Sequence, residues 1–365
     1  MISNLKINDL LSILSEFALV VEDGAISEDA RNVVFECKDN KVNVMGTNKM
    51  ITMRKYDINA KADKDEIFQV RCKELIQFLS VYKTLSTTTV EDVMLEVVGT
   101  KLLVSVKESD NNVSEYRLDL VPMSKGELEL FTQDIPESEP ITFKTDNLKW
   151  ITDNFNNGIS STVDMFGNAI FTEDRCIILN PSYTLVGVNE TPIKDIRLSK
   201  KVMAFIKSVV IKNEEIEYRI GKRIYMKWGN VDCFLQYNSQ LPPIQVYLDQ
   251  INTERYISLN QAYLRDILKR VSFIKDHIIF DIDCNEKEVL IRNQKFKQVV
   301  KVTDIKNLEI YDNIRFKVMP DVLNTLLIGK NDDIKFSYNE KDGNTIIIIS
   351  DSTDKWYSIM RVKVL

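Results

Sequence analysis

The sequence predicts an α+β protein made of three similar domains, each with two helices packed on antiparallel sheets. Three observations lead to this prediction. A helix-like segment followed by a strand pair occurs three times, a second helix-and-hairpin block precedes each occurrence, and the repeat period is roughly 120 residues. The hydrophobic content of 44% and the charged content of 28% are typical of a folded protein rather than a disordered one.

The later helix of each repeat shows apolar residues at spacings of three and four. Its three copies are KELIQFLSVYK from Lys73, KKVMAFIKSVV from Lys200 and PDVLNTLLIGK from Pro320. Each copy precedes two alternating strands joined by a glycine-containing turn, VGTK, IGKR or EKDGN, as a tight hairpin requires.

The earlier block of each repeat is a helix followed by a hairpin with apolar and polar residues in alternation. The hairpins are NVVFECKDNKVNVMGT from Asn32, NAIFTEDRCIILNPS from Asn168 and HIIFDIDCNEKEVLIRN from His277. The helices before them are INDLLSILSEFALV, TDNLKWITDNFNN and SLNQAYLRDILKRVSFI. Because the same blocks occur three times in the same order, chance similarity does not explain them well.

The repeats place the domain boundaries. We expect domains over residues 1–125, 140–250 and 251–365, with a linker over 126–139. The linker segment SKGELELFTQDIPESEP is acidic and marked by prolines, which favours an extended connection.

Catalytic chemistry has no visible basis in the sequence. It contains no phosphate-binding glycine loop, no zinc-protease helix and no hydrolase nucleophile motif. The five cysteines are scattered and odd in number, so we expect reduced thiols and no metal site. The single histidine, His277, is interpreted as a residue at the entry of a strand. No apolar run is long enough for a bilayer and no signal peptide begins the chain, so we expect no membrane association and a cytoplasmic location.

The repeats, taken together, resemble the bacterial-type DNA polymerase sliding clamp, the beta clamp or DNA polymerase III subunit beta. The resemblance covers essentially the whole chain. Three short segments resemble segments of the family: MGTNKMITMRKYDI in the first domain, LPPIQVYL at Leu241–Leu248 and the terminal YSIMRVKVL from Tyr357. Two departures are NPSYTLVGV, which retains mainly Leu185 of a second-domain signature, and Arg361 where a proline is usual. They are typical of a divergent member, such as a phage-encoded one.

The resemblance implies a DNA-clamp fold in which each chain forms half of a ring. Two chains would close head to tail around duplex DNA as a homodimer, without catalysis and without a cofactor. The implied partners are double-stranded DNA bound without sequence preference, a replicative DNA polymerase and an ATP-dependent clamp loader. Two alternatives stay open: a clamp-fold scaffold that does not encircle DNA, and an enzyme with an unrecognised site.

The charge distribution fits a ring on DNA. The net charge is −6, but the six predicted helical segments together carry a charge of +6, which leaves −12 on the rest of the chain. A basic lining inside an acidic wall would attract phosphates diffusely. A solvated helix face is the alternative reading of such charges. The candidate DNA-binding residues are Arg71, Lys73, Lys83, Lys149, Lys200, Lys201, Lys207, Arg265, Lys269 and Arg270.

The resemblance also implies two protein-binding surfaces. A groove under the C-terminal tail would receive an extended peptide that carries a glutamine and one or two bulky apolar anchors. Its matching residues are Tyr183, Thr184, Leu185, Pro242, Tyr247, Met360, Val362 and Leu365. The dimer interface would involve Tyr116, Leu118 and Leu120 on one strand face, and Phe273 and Ile274 at the end of a third-domain helix. For both surfaces the alternative is ordinary core packing.

Overall fold

The structure, a computed structural model, describes most of the chain. The described residues are 1–21, 31–83, 90–108, 113–123, 125–159, 166–273, 276–308, 313–327, 330, 333–341, 344–353 and 355–362. Within them lie eight α-helices and 26 β-strands, and every strand pairing is antiparallel. None of the helices in these ranges has the length and apolar character that a membrane crossing requires.

The first repeat follows the predicted order of strand, helix, strands, helix and hairpin. Its elements are β1 (Ile2–Lys6), α1 (Ile7–Phe17), β2 (Asn32–Lys38), β3 (Lys41–Thr47), β4 (Ile51–Lys55), β5 (Lys61–Ala62), β6 (Glu66–Arg71), α2 (Cys72–Lys83), β7 (Val90–Val98), β8 (Lys101–Glu108) and β9 (Val113–Val121).

The second repeat has the same order after a short additional helix. Its elements are α3 (Lys125–Phe131), β10 (Ile141–Lys144), α4 (Asp146–Phe155), β11 (Asn168–Phe171), β12 (Arg175–Asn180), β13 (Tyr183–Val188), β14 (Ile196–Ser199), α5 (Lys200–Ser208), β15 (Glu215–Ile220), β16 (Ile224–Trp228) and β17 (Val231–Leu235). A one-turn helix, α6 (Gln245–Leu248), follows.

The third repeat completes the pattern. Its elements are β18 (Tyr256–Asn260), α7 (Gln261–Val271), β19 (Ile278–Asp283), β20 (Glu288–Arg292), β21 (Lys297–Lys301), β22 (Asp304–Lys306), β23 (Asn313–Val318), α8 (Pro320–Leu326), β24 (Asp333–Lys341), β25 (Asn344–Ser350) and β26 (Trp356–Val362). The helices and hairpins predicted from periodicity are therefore confirmed.

The chain forms two compact units. The first unit comprises residues 1–145 and 205–237 and contains a 13-stranded sheet. In this sheet β17, from the second repeat, pairs with β4 of the first repeat, with Val231 opposite Lys55 and Leu235 opposite Ile51. A hydrogen-bonded sheet thus runs across the boundary between the first two repeats.

The second unit comprises residues 146–204 and 238–365 and contains a nine-stranded and a four-stranded sheet. Here β26, from the third repeat, pairs with β13 of the second repeat, with Thr184 opposite Ile359. The rule is the same in both units: the last strand of a repeat pairs with the fourth strand of the repeat before it.

The prediction of an extended linker is wrong for its first half. Residues Lys125–Phe131 form α3, and Phe131 is buried against Val34 and Met45. The physical reason is that Leu128 and Phe131 stand three residues apart, so one helical turn puts both on the same face. The acidic residues of the segment masked this short apolar pattern.

Candidate functional site

The main candidate site is a cavity of about 360 Å³ in the second unit. It lies where β13 meets β26, and its apolar walls come from five elements of the chain. These walls include Phe166, Tyr247, Val322, Ile359 and Met360. The cavity is open to solvent on one side and mixes apolar walls with polar groups at its edge, as binding sites for extended ligands do.

Strand β26 builds the floor of this cavity because it is held on both sides. It pairs with β13 through Thr184 and Ile359, and with β25 through Ile347 and Met360. The hydroxyl of Ser358 donates to the carbonyl of Leu326 at 3.2 Å, which fastens the strand to the end of α8. The strand that ends the sequence is therefore a central strand of a large sheet.

The structure brings four of the eight candidate groove residues together around the cavity: Tyr183, Thr184, Tyr247 and Met360. Burial raises the pKa of Tyr183, so its hydroxyl stays protonated and can donate a hydrogen bond at neutral pH.

The remaining groove candidates do not line the cavity. Leu185 is fully buried, since its side chain packs on Gly158, where an added Cβ would come within 2.8 Å of Leu185 Cδ1. Pro242 and Val362 are half-buried outside the lining, and Leu365 lies outside the described residues.

Several residues of the lining were missed from the sequence. His277 directly precedes β19, as expected, but its exposed imidazole also lines the cavity. Lys317 on β23 and Gln250 after α6 line it as well. They lie far apart in the sequence, and no periodicity links residues that meet only through the tertiary fold.

The candidate DNA-binding residues of the first two repeats lie on or beside helices. Lys73 and Lys149 are exposed, and Arg71 pairs with Glu74 at 3.3 Å. Lys83 ends α2, but its side chain lies outside the described part of the structure.

The most basic helix is α5, and its amphipathic pattern is confirmed. Val202 and Ile206 are buried, as is Val209 just after the helix. Lys200 is exposed, whereas Lys201 and Lys207 are half-buried.

The cations of α7 are solvent-exposed but bonded to neighbouring groups. Arg265 donates to the carbonyl of Leu327 at 3.1 Å, Lys269 lies 3.3 Å from Asp266, and Arg270 donates to Gln298 at 3.2 Å. The inward positions of this helix, Leu264, Leu268 and Val271, are buried as predicted.

The candidate dimer residues differ in exposure. On β9, Tyr116 is 45% exposed and stacks on Phe78 with ring centroids 4.5 Å apart, whereas Leu118 is buried in the core. Leu120 is half-buried and pairs with Val70 of β6. Phe273 is 75% exposed. Ile274 lies outside the described residues.

Two strands near these residues show exposed apolar side chains. Val113 on β9 is 52% exposed and Val299 on β21 is 46% exposed. Strand β21 is the last strand of its sheet and has a partner, β20, on one side only. Strand β9 lies between β8 and β6 but pairs with β6 only through Leu120 and Val121, so its earlier residues, like β21, have one side where another strand could pair.

Within the described ranges, no three His, Cys, Asp or Glu residues lie close enough together to hold a metal ion. All five cysteines are buried and reduced.

Comparison with known proteins identifies the fold. No protein-family model and no curated protein sequence matches the chain. Among solved structures, it is similar over 100% of both chains to the DNA polymerase III subunit beta from Pseudomonas aeruginosa, with a TM-score of 0.79 at 15% identity. Likeness to the DNA polymerase III beta chain from Streptococcus pneumoniae TIGR4 covers 99% of both chains, with a TM-score of 0.81 at 11% identity. The chain is also similar over 100% of both chains to the Helicobacter pylori beta clamp bound to a DNA ligase peptide, with a TM-score of 0.78 at 14% identity. The chain has the beta-clamp fold, as predicted.

Proposed function

We propose that the chain is a DNA sliding clamp, a non-catalytic processivity factor that encircles duplex DNA as a head-to-tail homodimer. It would tether a replicative polymerase and other partners to the template in the cytoplasm of a bacterial cell or a phage-infected host. The full-length likeness to bacterial beta subunits supports this proposal, because it covers the repeats and the connections between them.

One observation carries the proposal: the rule by which repeats join. Within each unit, the last strand of one repeat pairs with the fourth strand of the repeat before it, β17 with β4 and β26 with β13. The same rule applied between two copies would pair β9 of one copy with β21 of the other. Both strands carry the exposed valines described above. Two identical contacts of this kind would close a ring and leave neither strand edge free.

The cations on the helices supply the attraction to DNA. Lysine and arginine contacts to phosphates carry no sequence information, which suits a protein that must slide. The acidic remainder of the chain would repel DNA from the outside of the ring, so that the duplex is favoured only along the basic helices.

The cavity at β13 and β26 would be the site for partner peptides. One of the similar structures, the Helicobacter pylori clamp, is described with a DNA ligase peptide bound. Polymerase and clamp loader would then compete for one groove on each copy, two on each ring. Replacing Tyr183, which lines the cavity, with alanine should weaken binding of a partner peptide, measured by calorimetry, while the dimer persists.

Topological retention tests the proposal. Labelled protein is incubated with nicked circular plasmid, fixed with a bifunctional amine crosslinker and washed in high salt. We expect the label to stay on the circles and to leave when the plasmid is cut once, since a closed ring slides off an end. Loss in the salt wash would refute encirclement, and a stable dimer with that behaviour would favour the scaffold alternative. Retention on linear DNA would indicate ordinary binding instead.

A further inference from the structure

The three repeats present equivalent rows of side chains, each of which crosses one face of four neighbouring strands of its sheet. Each row is built around the residue that precedes the phenylalanine in the second strand of its repeat, namely Val34, Ile170 or Ile279. The other members lie directly opposite one another on the neighbouring strands, and directly opposed residues in a sheet share a face. The first row is Gln69, Val34, Met45 and Arg54. The second row is Arg197, Ile170, Ile177 and Val186. The third row is Lys317, Ile279, Arg292 and Lys297.

A chain segment covers the first row. Phe131 of α3 packs on Val34 and Met45, and Arg54 Nη2 donates to the carbonyl of Gln133 at 3.2 Å. The covering segment, residues 125–139, contains five acidic residues and one basic residue. Residues 125–139 thus show that an acidic segment with one bulky apolar side chain, Phe131, can bind to this face of the sheet.

A second segment covers the middle row in the same way. Leu241, Ile244 and Leu248, together with other apolar residues of the segment around α6, pack on the buried cluster that contains Ile170 and Ile177. Both covered rows have fully or almost fully buried aliphatic side chains at their centres.

The third row is more open and more basic. Lys297 is exposed, and Ile279, Arg292 and Lys317 are half-buried. A surface depression of about 460 Å³ lies beside the row, lined by the carboxylates of Asp281, Asp283 and Glu288, by the cations of Lys297 and Arg315, and by apolar residues. Three of the four side chains in the row are cations, where the first two rows each have one.

The charges of this row are only partly neutralised. Arg292 Nε lies 2.7 Å from an oxygen of Asp281, and that carboxylate also pairs with Arg315. Within the described part of the chain, neither Lys297 nor Lys317 has a carboxylate partner. The row thus offers two ammonium groups to an anion.

Lys317 connects this row to the groove. It lines the cavity at β13 and β26 together with His277, and no aspartate or glutamate of the described residues lines that cavity. From Lys317 the row runs across three strand spacings to Lys297, roughly 14 Å, which an extended peptide spans with about four residues.

We propose that the groove selects a peptide whose apolar anchors are flanked by acidic residues, and that this acidic flank crosses the third row over Lys317 and Lys297. This inference rests on the proposed function of the groove and names its ligand class. The occupant would repeat, from another protein, the arrangement that residues 125–139 make on the first row. Positive potential on this strip would favour the acidic flank although the whole chain carries a net charge of −6.

Two fluorescein-labelled synthetic peptides test the inference by fluorescence anisotropy. Both carry a glutamine and adjacent leucine and phenylalanine anchors; one is followed by three glutamates and the other by three glutamines. Each exposed ion pair contributes about 0.2–1 kcal/mol, so two such pairs should give about two- to thirtyfold tighter binding of the acidic peptide at low salt. The preference should shrink as salt rises.

The variants separate the possible outcomes. The double variant K297Q/K317Q should bind the two peptides equally, while the control K306Q, on the exposed strand β22, should keep the preference. Equal binding of both peptides to the unaltered protein would overturn the inference and leave the groove standing. A preference that survives K297Q/K317Q would also overturn it. If neither peptide binds, the proposed groove fails and the inference falls with it. Thermal unfolding checks that each variant is folded.

Discussion

Replacing Phe273 with alanine should dissociate the proposed dimer without unfolding the chain. A phenylalanine side chain contributes about 150–250 Å² of surface. Because 75% of Phe273 is exposed, about 110–190 Å² is free to be covered by a second copy. At about 25 cal/mol per Å², complete coverage would contribute about 3–5 kcal/mol, and half coverage about 2 kcal/mol, which is typical of a strong interface residue. The free energy of unfolding of the monomer should hardly change, since little of the ring is buried there.

The ring geometry multiplies this effect. Dissociation of a closed dimer breaks two identical contacts, so a loss of about 2 kcal/mol at each would weaken the dimer by about 4 kcal/mol, or roughly 1,000-fold in Kd. Sedimentation equilibrium over a wide concentration range measures this shift. The matched control is Ile135→Ala, an exposed apolar residue of the linker segment, which should leave Kd unchanged. A Phe273→Ala protein that dimerises within threefold of the unaltered protein would refute the proposed interface.

Three further predictions concern charge, packing and thiol chemistry. Replacing the three lysines of α5 with glutamate should reduce retention on nicked circles severalfold at low salt while circular dichroism stays unchanged; equal retention would contradict a DNA-facing role. The three positions are Lys200, Lys201 and Lys207. Gly187→Ala should lower the free energy of unfolding, measured in urea, by about 1–3 kcal/mol, because the added Cβ would lie 2.5 Å from two ring atoms of the buried Phe155. The control is Gly126→Ala, whose added Cβ would meet no neighbouring atom within 4 Å. An equal effect of both substitutions would contradict the packing argument. Burial raises the pKa of Cys37 to about 11, so about one thiol in a thousand is ionised at pH 8. A disulfide reagent should therefore label the native protein slowly, and the labelling rate should still rise with pH above 8. Fast labelling of the folded protein would be inconsistent with this burial.

The fold could be predicted because its signals are local and occur three times. Alternation marks β19 and β20, and the spacing of Val202, Ile206 and Val209 identifies the inward face of α5. The helix α3 was missed because acidic residues alternate with its apolar ones, Leu128, Leu130 and Phe131. Short helices depend on what they pack against, and the cluster around Val34 is not visible in the segment itself.

The candidate groove was harder to predict for a physical reason. Tyr183 and Met360 came from the resemblance, not from any local pattern. Leu185, the one residue retained from the second-domain signature, faces Gly158 and the core instead of the cavity. Lys317 and His277 line the cavity through tertiary contacts between distant strands, which leave no trace in hydrophobic periodicity.

The pairing of β13 with β26 has a consequence for how the chain is made. Ile359 follows its partner Thr184 by 175 residues, so at a synthesis rate of about 5–20 residues per second β13 waits roughly 9–35 s for its neighbour. During this interval one edge of β13 and the apolar residues of its repeat have no sheet to join, which is the condition in which nascent chains recruit chaperones. We expect the second unit to mature only after β26 has emerged from the ribosome, and protease protection of β13 on stalled chains shorter than about 355 residues would contradict this timing. In the finished chain β13 is paired on both sides, with β12 and β26, yet it carries one open edge through much of its own synthesis.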